Sequence, residues 1–329
     1  MLLQKIKQSV GALLVVGAAL SSFANAEVTE INFGIISTES TQGLRDQWVP
    51  FLTDMSEKMG VTVNPYFATD YAGVIQAMRF GKVDVAWYGN KSAMEAVDRA
   101  GGEIFAQTVD VNGNPGYWSL LITHKDNTNI NSVDDVLANA KDLTFGNGDP
   151  NSTSGFLVPS YYVWARNGVE PKDIFKRTLN SNHETNALSV ATKKVDIATN
   201  NTENMARIEE NFPDKFANIK VIWKSPLIPS DPIVWRKDLD SATKAALYDF
   251  MMNYGKNGDP KELENLANIG WAPFRPSSDL QLLPIRQLVL YKDLIKVTNS
   301  DSKTKAEDLA AIHSQLDDLN RLMAALEAK

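Results

Sequence analysis

Two separated stretches of the chain return later at one ungapped offset of 112 residues. NFGIISTESTQG (32–43) and TFGNGDPNSTSG (144–155) share Phe, Gly, Ser, Thr and Gly, and GKVDVA (81–86) reappears as KKVDIA (193–198). A single offset serving two distant matches requires two related structural units. Within each unit strand-like runs alternate with helix-like ones: TEINFGII, then GVIQAMRFG, then KVDVAWYG. That alternation is the pattern of an α/β protein, so the repeat predicts two similar α/β lobes. Between and after the copies, NPGYWSLLI (114–122) and the Pro-broken WKSPLIPSDPIVWR (223–236) suit an outward and a returning crossing. Two crossings make a hinge, and a hinge permits closure over a ligand. The expected division is a first lobe of 27–117 with 232–278, a second lobe of 118–231, and C-terminal helices over 279–329.

The N-terminus carries a different signal. Lys5 and Lys7 precede the uncharged run VGALLVVGAAL and then Ala24, Asn25 and Ala26, which reads as a secretory signal peptide over 1–26. No later run approaches the roughly 20 apolar residues that a membrane span needs. The chain has no cysteine, which excludes a disulfide scaffold, a thiolate metal site and a lipid-anchored cysteine. A soluble periplasmic protein is expected. Its formal charge of −7 becomes −9 once the two leader lysines are removed, which argues against nucleic acid as a partner. Two minor signals lead nowhere: Asn151 and Asn200 fit a short glycosylation pattern common by chance, and DVNGNPG lacks the later ligands of a calcium loop. No metal and no cofactor are expected.

Ligands of α/β proteins gather where strands lead into helix N-termini, and the repeat identifies such joints in pairs. The offset carries Ser40 and Thr41 onto Ser152 and Thr153, Tyr71 onto His183, and Glu39 onto Asn151. Ser152, Thr153 and Ser154 fall at the cap and first turn of a helix starting near Gly155. Free amides, the positive helix end and three hydroxyls make an anion site. Capping alone needs one hydroxyl. Glu39 at the equivalent joint would repel an anion, so the oxyanion should choose the second lobe. A lone histidine is most often structural, which is how His124 and His313 read, but the repeat sets His183 at a cleft-facing joint where it could donate to the same anion. Glu203 follows the strand-like VDIAT and Asp231 sits in the returning crossing; with Tyr71 and Tyr117 they suit an ammonium group. From Leu309, apolar residues recur at Ile312, Leu316, Leu319, Met323 and Leu326, a helical seam that either packs on its own chain or joins two copies.

Two other functional classes compete. A hydrolase could be built from a serine, His183 and an acid, although the stretch lacks a GxSxG elbow. An interaction protein could use the C-terminal helices as its working surface.

The stretches NFGIISTES, YAGVIQAMRFGKVDVAWYGN, FGNGDPNSTSGFLVP, HETNAL, ATNNTEN, VIWKSPLIPSDPIVWR and GWAPFRPSSDLQL closely resemble the periplasmic phosphonate-binding proteins of bacterial ABC importers. The likeness covers nearly all of the chain after the leader. It implies a type II periplasmic-binding-protein fold, no enzymatic activity, delivery to a membrane permease with its ATPase, and 2-aminoethylphosphonate as the preferred ligand. Carried over by motif, Ser152, Thr153, Ser154 and His183 would hold the phosphonate with Tyr117 nearby, and Tyr71, Glu203 and Asp231 the amine. It also implies a homodimer through the C-terminal helices. Relatives of this fold bind phosphite or other small phosphorus oxyanions, which is the alternative ligand.

Overall fold

The computed structural model describes residues 29–327, so the expected signal peptide at 1–26 lies outside the described residues. Strands run in the order β1 (Glu30–Ile35), β2 (Thr62–Phe67), β3 (Val85–Trp87), β4 (Gly102–Asp110), β5 (Gly116–Tyr117), β6 (Ser119–His124) and β7 (Thr144–Asn147). They continue with β8 (Arg177–Asn180), β9 (Ile197–Asn201), β10 (Ile219–Lys224), β11 (Ile228–Pro229), β12 (Pro232–Arg236) and β13 (Trp271–Pro276). One sheet has the order β13-β4-β12-β3-β1-β2 and the other β10-β6-β9-β7-β8. The short strands β5 and β11 pair with each other, antiparallel, where the chain crosses between the sheets. A two-strand hinge therefore joins two α/β lobes.

The repeat is visible in the backbone. In the first lobe β1 lies parallel to both β2 and β3, and in the second β7 lies parallel to both β8 and β9. Phe33 and Gly34 stand opposite Val85 and Ala86, while Phe145 and Gly146 stand opposite Ile197 and Ala198, the same register displaced by 112. Helices Tyr71–Arg79 and Asn90–Arg99 return as His183–Ala191 and Thr202–Asn211 at that offset. Their caps return too: Ser40 accepts from Gly43 N and Ser152 from Gly155 N, Asp70 from Gly73 N and Asn182 from Thr185 N. Each sheet is completed by the strand that arrives after a crossing, β6 antiparallel to β9 and β12 antiparallel to β3. The second sheet is thus contiguous in sequence, whereas the first takes β12 and β13 from the chain after its return crossing.

The shared glycine of the two FG pairs is required by packing. A Cβ on Gly34 would lie 2.7 Å from Val74 and 3.0 Å from Ala86, and one on Gly146 would lie 2.8 Å from Asn186 and 3.0 Å from Ala198. Only glycine lets the helix after the sheet approach its strand so closely. The first-lobe core centres on aromatic packing, with Trp48 stacked on Trp87 at 5.3 Å and in edge contact with Trp271 at 5.2 Å. Smaller clusters around Phe145 and Trp164 and around Ile122 and Val190 flank the second sheet.

One helix departs from its counterpart. The first-lobe helix Thr41–Met59 is regular, whereas residues 153–167 form π turns at Thr153–Leu157 and Ser160–Trp164 before a 3-10 turn. Wider turns take up an extra residue, and β8 accordingly follows β2 at an offset of 113. The expected start near Gly155 moves two residues earlier, to Thr153.

After β13 come the helices Leu283–Thr298 and Lys305–Glu327, packed on each other. Leu316 of the sequence seam is buried and Leu309, Ile312, Leu319 and Met323 are partly buried. The helix Leu283–Thr298 also touches both lobes, through an Arg286–Asp98 ion pair and Tyr161 beside Tyr291. The seam is therefore filled at least in part within its own chain. No helix among the described residues is long and apolar enough to cross a membrane.

Candidate functional site

Between the lobes lies a small cavity. Its walls include Ser152, Thr153, Ser154, His183, Tyr117, Tyr71, Glu203 and Asp231, all eight residues singled out from the sequence. They arrive from the joints that the repeat identified. Tyr71 and His183 each open a helix, Ser152 caps one, Glu203 sits in the first turn after β9, and Asp231 precedes β12.

The three hydroxyls have distinct work. Ser152 Oγ caps its helix by accepting from Gly155 N at 3.0 Å. Ser154 Oγ accepts from Asn201 Nδ2 at 3.1 Å, and Ser119 Oγ donates to the Ser154 carbonyl at 2.6 Å. Thr153 Oγ1 accepts from Lys91 N of the first lobe at 2.8 Å, a contact that exists because the lobes are closed. Gly89 makes room for it, since a Cβ there would lie 3.2 Å from Thr153 Oγ1. The repeat puts Asn201 at this position in the second lobe, where its side chain caps a helix by accepting from Asn204 N. A position that is a capping side chain in one lobe is thus cleared in the other.

His183 Nε2 stands 3.4 Å from both Ser152 Oγ and Ser154 Oγ and 3.2 Å from Asn201 Nδ2. Burial drives its pKa down to about 4, helped by Arg207 and opposed by Glu39. At neutral pH the imidazole is uncharged. A hydrolytic triad needs a third group to orient the base, yet His183 Nδ1 has no partner among the described residues.

The opposite end of the cavity is acidic. Asp231 Oδ1 accepts from the Tyr117 hydroxyl at 2.9 Å, and Oδ2 from Trp87 Nε1 at 3.2 Å. Burial, then the neighbouring Glu203, holds the Asp231 carboxyl well above the usual range. Burial likewise pushes Glu203 up to about 7, with Arg207 opposing. Burial raises both tyrosines and keeps their phenols neutral. Tyr71 lies beside Ser152, and its backbone N–H donates to Asp149 of the other lobe at 3.2 Å. Tyr71 thus neighbours Ser152 and Tyr117 neighbours Asp231, whereas the sequence reading set Tyr71 with the amine and Tyr117 with the phosphonate.

Sequence reasoning missed Thr38, Asn201 and Arg207, which also line the cavity. Asn201 carried a signal, since the offset pairs it with Gly89 at a helix start. Arg207 puts a cation in the wall and corrects one expectation: Glu39 is not a free repelling charge, because Arg207 Nε donates to Glu39 across the cleft while Gln47 Nε2 donates to its other oxygen at 2.7 Å. No group of His, Asp and Glu among the described residues could hold a metal ion.

Two lobes of this topology around a small closed cavity, with neutral donors at one end and acids at the other, define a solute-binding protein of the type II periplasmic-binding-protein fold. The family model for the periplasmic substrate-binding protein of ABC phosphonate transporters matches residues 33–282. The chain belongs to this family of periplasmic phosphonate-binding proteins. It is 61% identical over 316 residues to the phosphonates-binding periplasmic protein of Escherichia coli K12, covering 94% of this chain and 92% of that one. Among solved structures, a binding protein component of an ABC phosphonate transporter from Pseudomonas aeruginosa is 57% identical, with a TM-score of 0.89 over 92% of this chain and 100% of that one. PhnD1 of Prochlorococcus marinus in complex with methylphosphonate shares the fold, at 21% identity and a TM-score of 0.70 over 79% of this chain and 97% of that one. The homologues serve transport rather than catalysis.

Proposed function

We propose that the chain is a periplasmic carrier whose preferred ligand is 2-aminoethylphosphonate, held between a first lobe of 27–117 with 232–278 and a second of 118–231. The phosphonate is received by Ser152, Thr153, Ser154 and His183 with Tyr71 beside them, and the ammonium by Glu203 and Asp231 against Tyr117. The observation that carries this reading is the division of one cavity into a neutral donor end and an acidic end. An ammonium-bearing phosphonate fits both ends, whereas a plain oxyanion leaves two buried carboxyls facing each other. The phosphite alternative is not favoured: a probable phosphite-binding relative from Prochlorococcus marinus is 24% identical over 62% of this chain, far less than the phosphonate-binding relatives. Ligand closes the lobes, and the closed form docks on a membrane permease served by an ATPase. The helices over 279–329 join two copies into a homodimer, and export relies on a signal peptide at 1–26.

Calorimetry against 2-aminoethylphosphonate, methylphosphonate, phosphite and phosphate tests the ligand. The aminophosphonate is expected to bind most tightly. Its seven heavy atoms set a ceiling of about −10 kcal/mol, a dissociation constant on the order of tens of nanomolar. Glu203→Gln should weaken it about tenfold or more while sparing methylphosphonate. Tighter binding of phosphate or phosphite would remove the proposed role of the two acids.

A further inference from the structure

We infer that Thr38 is a further ligand-binding residue that donates its hydroxyl to the ligand's phosphonate from the first lobe. Thr38 lines the cavity and is only 6% exposed. Its backbone is committed on both sides, N–H to the Ile36 carbonyl at 2.9 Å and carbonyl to Glu184 N of the second lobe at 3.4 Å. Its Oγ1 has no partner among the described residues. A buried hydroxyl without a partner is costly and rare in native proteins, so its partner belongs in the cavity. The bond from Glu184 fixes which end. Glu184 follows His183 in the helix that opens beside Ser152 and Ser154, which sets Thr38 at the neutral donor end.

Thr38 has no counterpart in the repeat, since the offset carries it onto Pro150. Its contribution is therefore one-sided. The second lobe holds the anion by its helix start, and the first lobe adds a donor that reaches the anion only when the lobes are closed. Differential contact of this kind drives closure. A neutral hydroxyl donating to an oxyanion also spares the site a second charge beside Arg207.

This inference rests on the proposed anion site, and calorimetry with two ligands separates the two. Thr38→Val keeps the shape and removes the hydroxyl. It should weaken methylphosphonate and 2-aminoethylphosphonate alike, by about ten- to a hundredfold, while Thr38→Ser stays within a fewfold of wild type. Unchanged affinities in Thr38→Val would overturn the inference alone, as would a loss confined to the aminophosphonate, which would move Thr38 to the ammonium. Failure of the unaltered protein to bind either phosphonate would overturn both readings. If thermal melts show Thr38→Val unfolded, Thr38→Ala replaces it with the same expectations.

Discussion

Glu203 and Asp231 share a cavity in which both cannot readily carry charge. Burial is the larger cause for each, and the free protein holds Glu203 near pH 7 and Asp231 well above the ordinary carboxylate range. An ammonium bound between them would favour both anions and lower both pKa values. The sign follows: binding is favoured where the acids are already ionised, and as pH falls through about 7 each ligand must displace a proton. Affinity for 2-aminoethylphosphonate should therefore drop below pH 7, approaching tenfold per pH unit. Methylphosphonate supplies the control, since titration of the phosphonate itself affects both ligands. Calorimetry in buffers of different ionisation enthalpy should show proton release to buffer for the amine-bearing ligand in excess of that for methylphosphonate. Equal proton release would remove the ammonium from the acidic end. In the free protein His183 stays neutral through this window, its pKa lying near 4.

Helix and strand meet at the same glycine in each lobe, and the two contacts differ in what they hold. At Gly34 the neighbours are the side chains of Val74, Val83 and Ala86. At Gly146 the neighbour is Asn186, whose Nδ2 donates to the Gly146 carbonyl at 3.2 Å and the Asn147 carbonyl at 3.1 Å. Gly34→Ala overpacks an apolar contact and should cost about 1–3 kcal/mol. Gly146→Ala must also displace a buried amide from its carbonyls and should cost more, by about 1–3 kcal/mol for polar atoms left unpaired. Thermal unfolding should rank them in that order, and a lower melting temperature for Gly34→Ala would contradict the assignment. The element scale is also where the sequence was most legible. Strand, helix and joint recur at one offset because the same packing problem is solved twice. The π turns were hidden, because their extra residue is offset by a shorter link between β8 and the helix at His183, restoring the offset of 112. Arg207 was hidden for another reason: in ARIEEN it reads as one charge of a solvated helix face, and only the facing lobe gives it a partner. Thr38 was invisible because a repeat cannot flag a residue that it does not repeat.

At the scale of the whole molecule, the Arg207–Glu39 pair ties the lobes together beside the ligand cavity. Glu39 is 4% exposed, and Gln47 holds its second oxygen, so the carboxylate is committed to this arrangement. Opening the cleft must separate the pair, together with the Thr153–Lys91 and Tyr71–Asp149 contacts across the same gap. The pair thus favours the closed form whether or not a ligand is bound. Removing one partner differs from removing both, because a buried charge left alone costs about 3–5 kcal/mol whereas a neutralised pair costs far less. Arg207→Leu should therefore open the ligand-free protein, seen as a larger radius of gyration in X-ray scattering. It should weaken both phosphonates, because either ligand then has to close a more open protein. The double variant Glu39→Gln with Arg207→Leu should recover most of that affinity, giving a coupling energy on the order of 1–3 kcal/mol in a double-mutant cycle. Arg207 also opposes the raised pKa of Glu203, so its loss should move the proton-release window for the aminophosphonate upward in pH. Additive single-variant losses with an unshifted window would instead make Arg207 a surface charge with no part in closure.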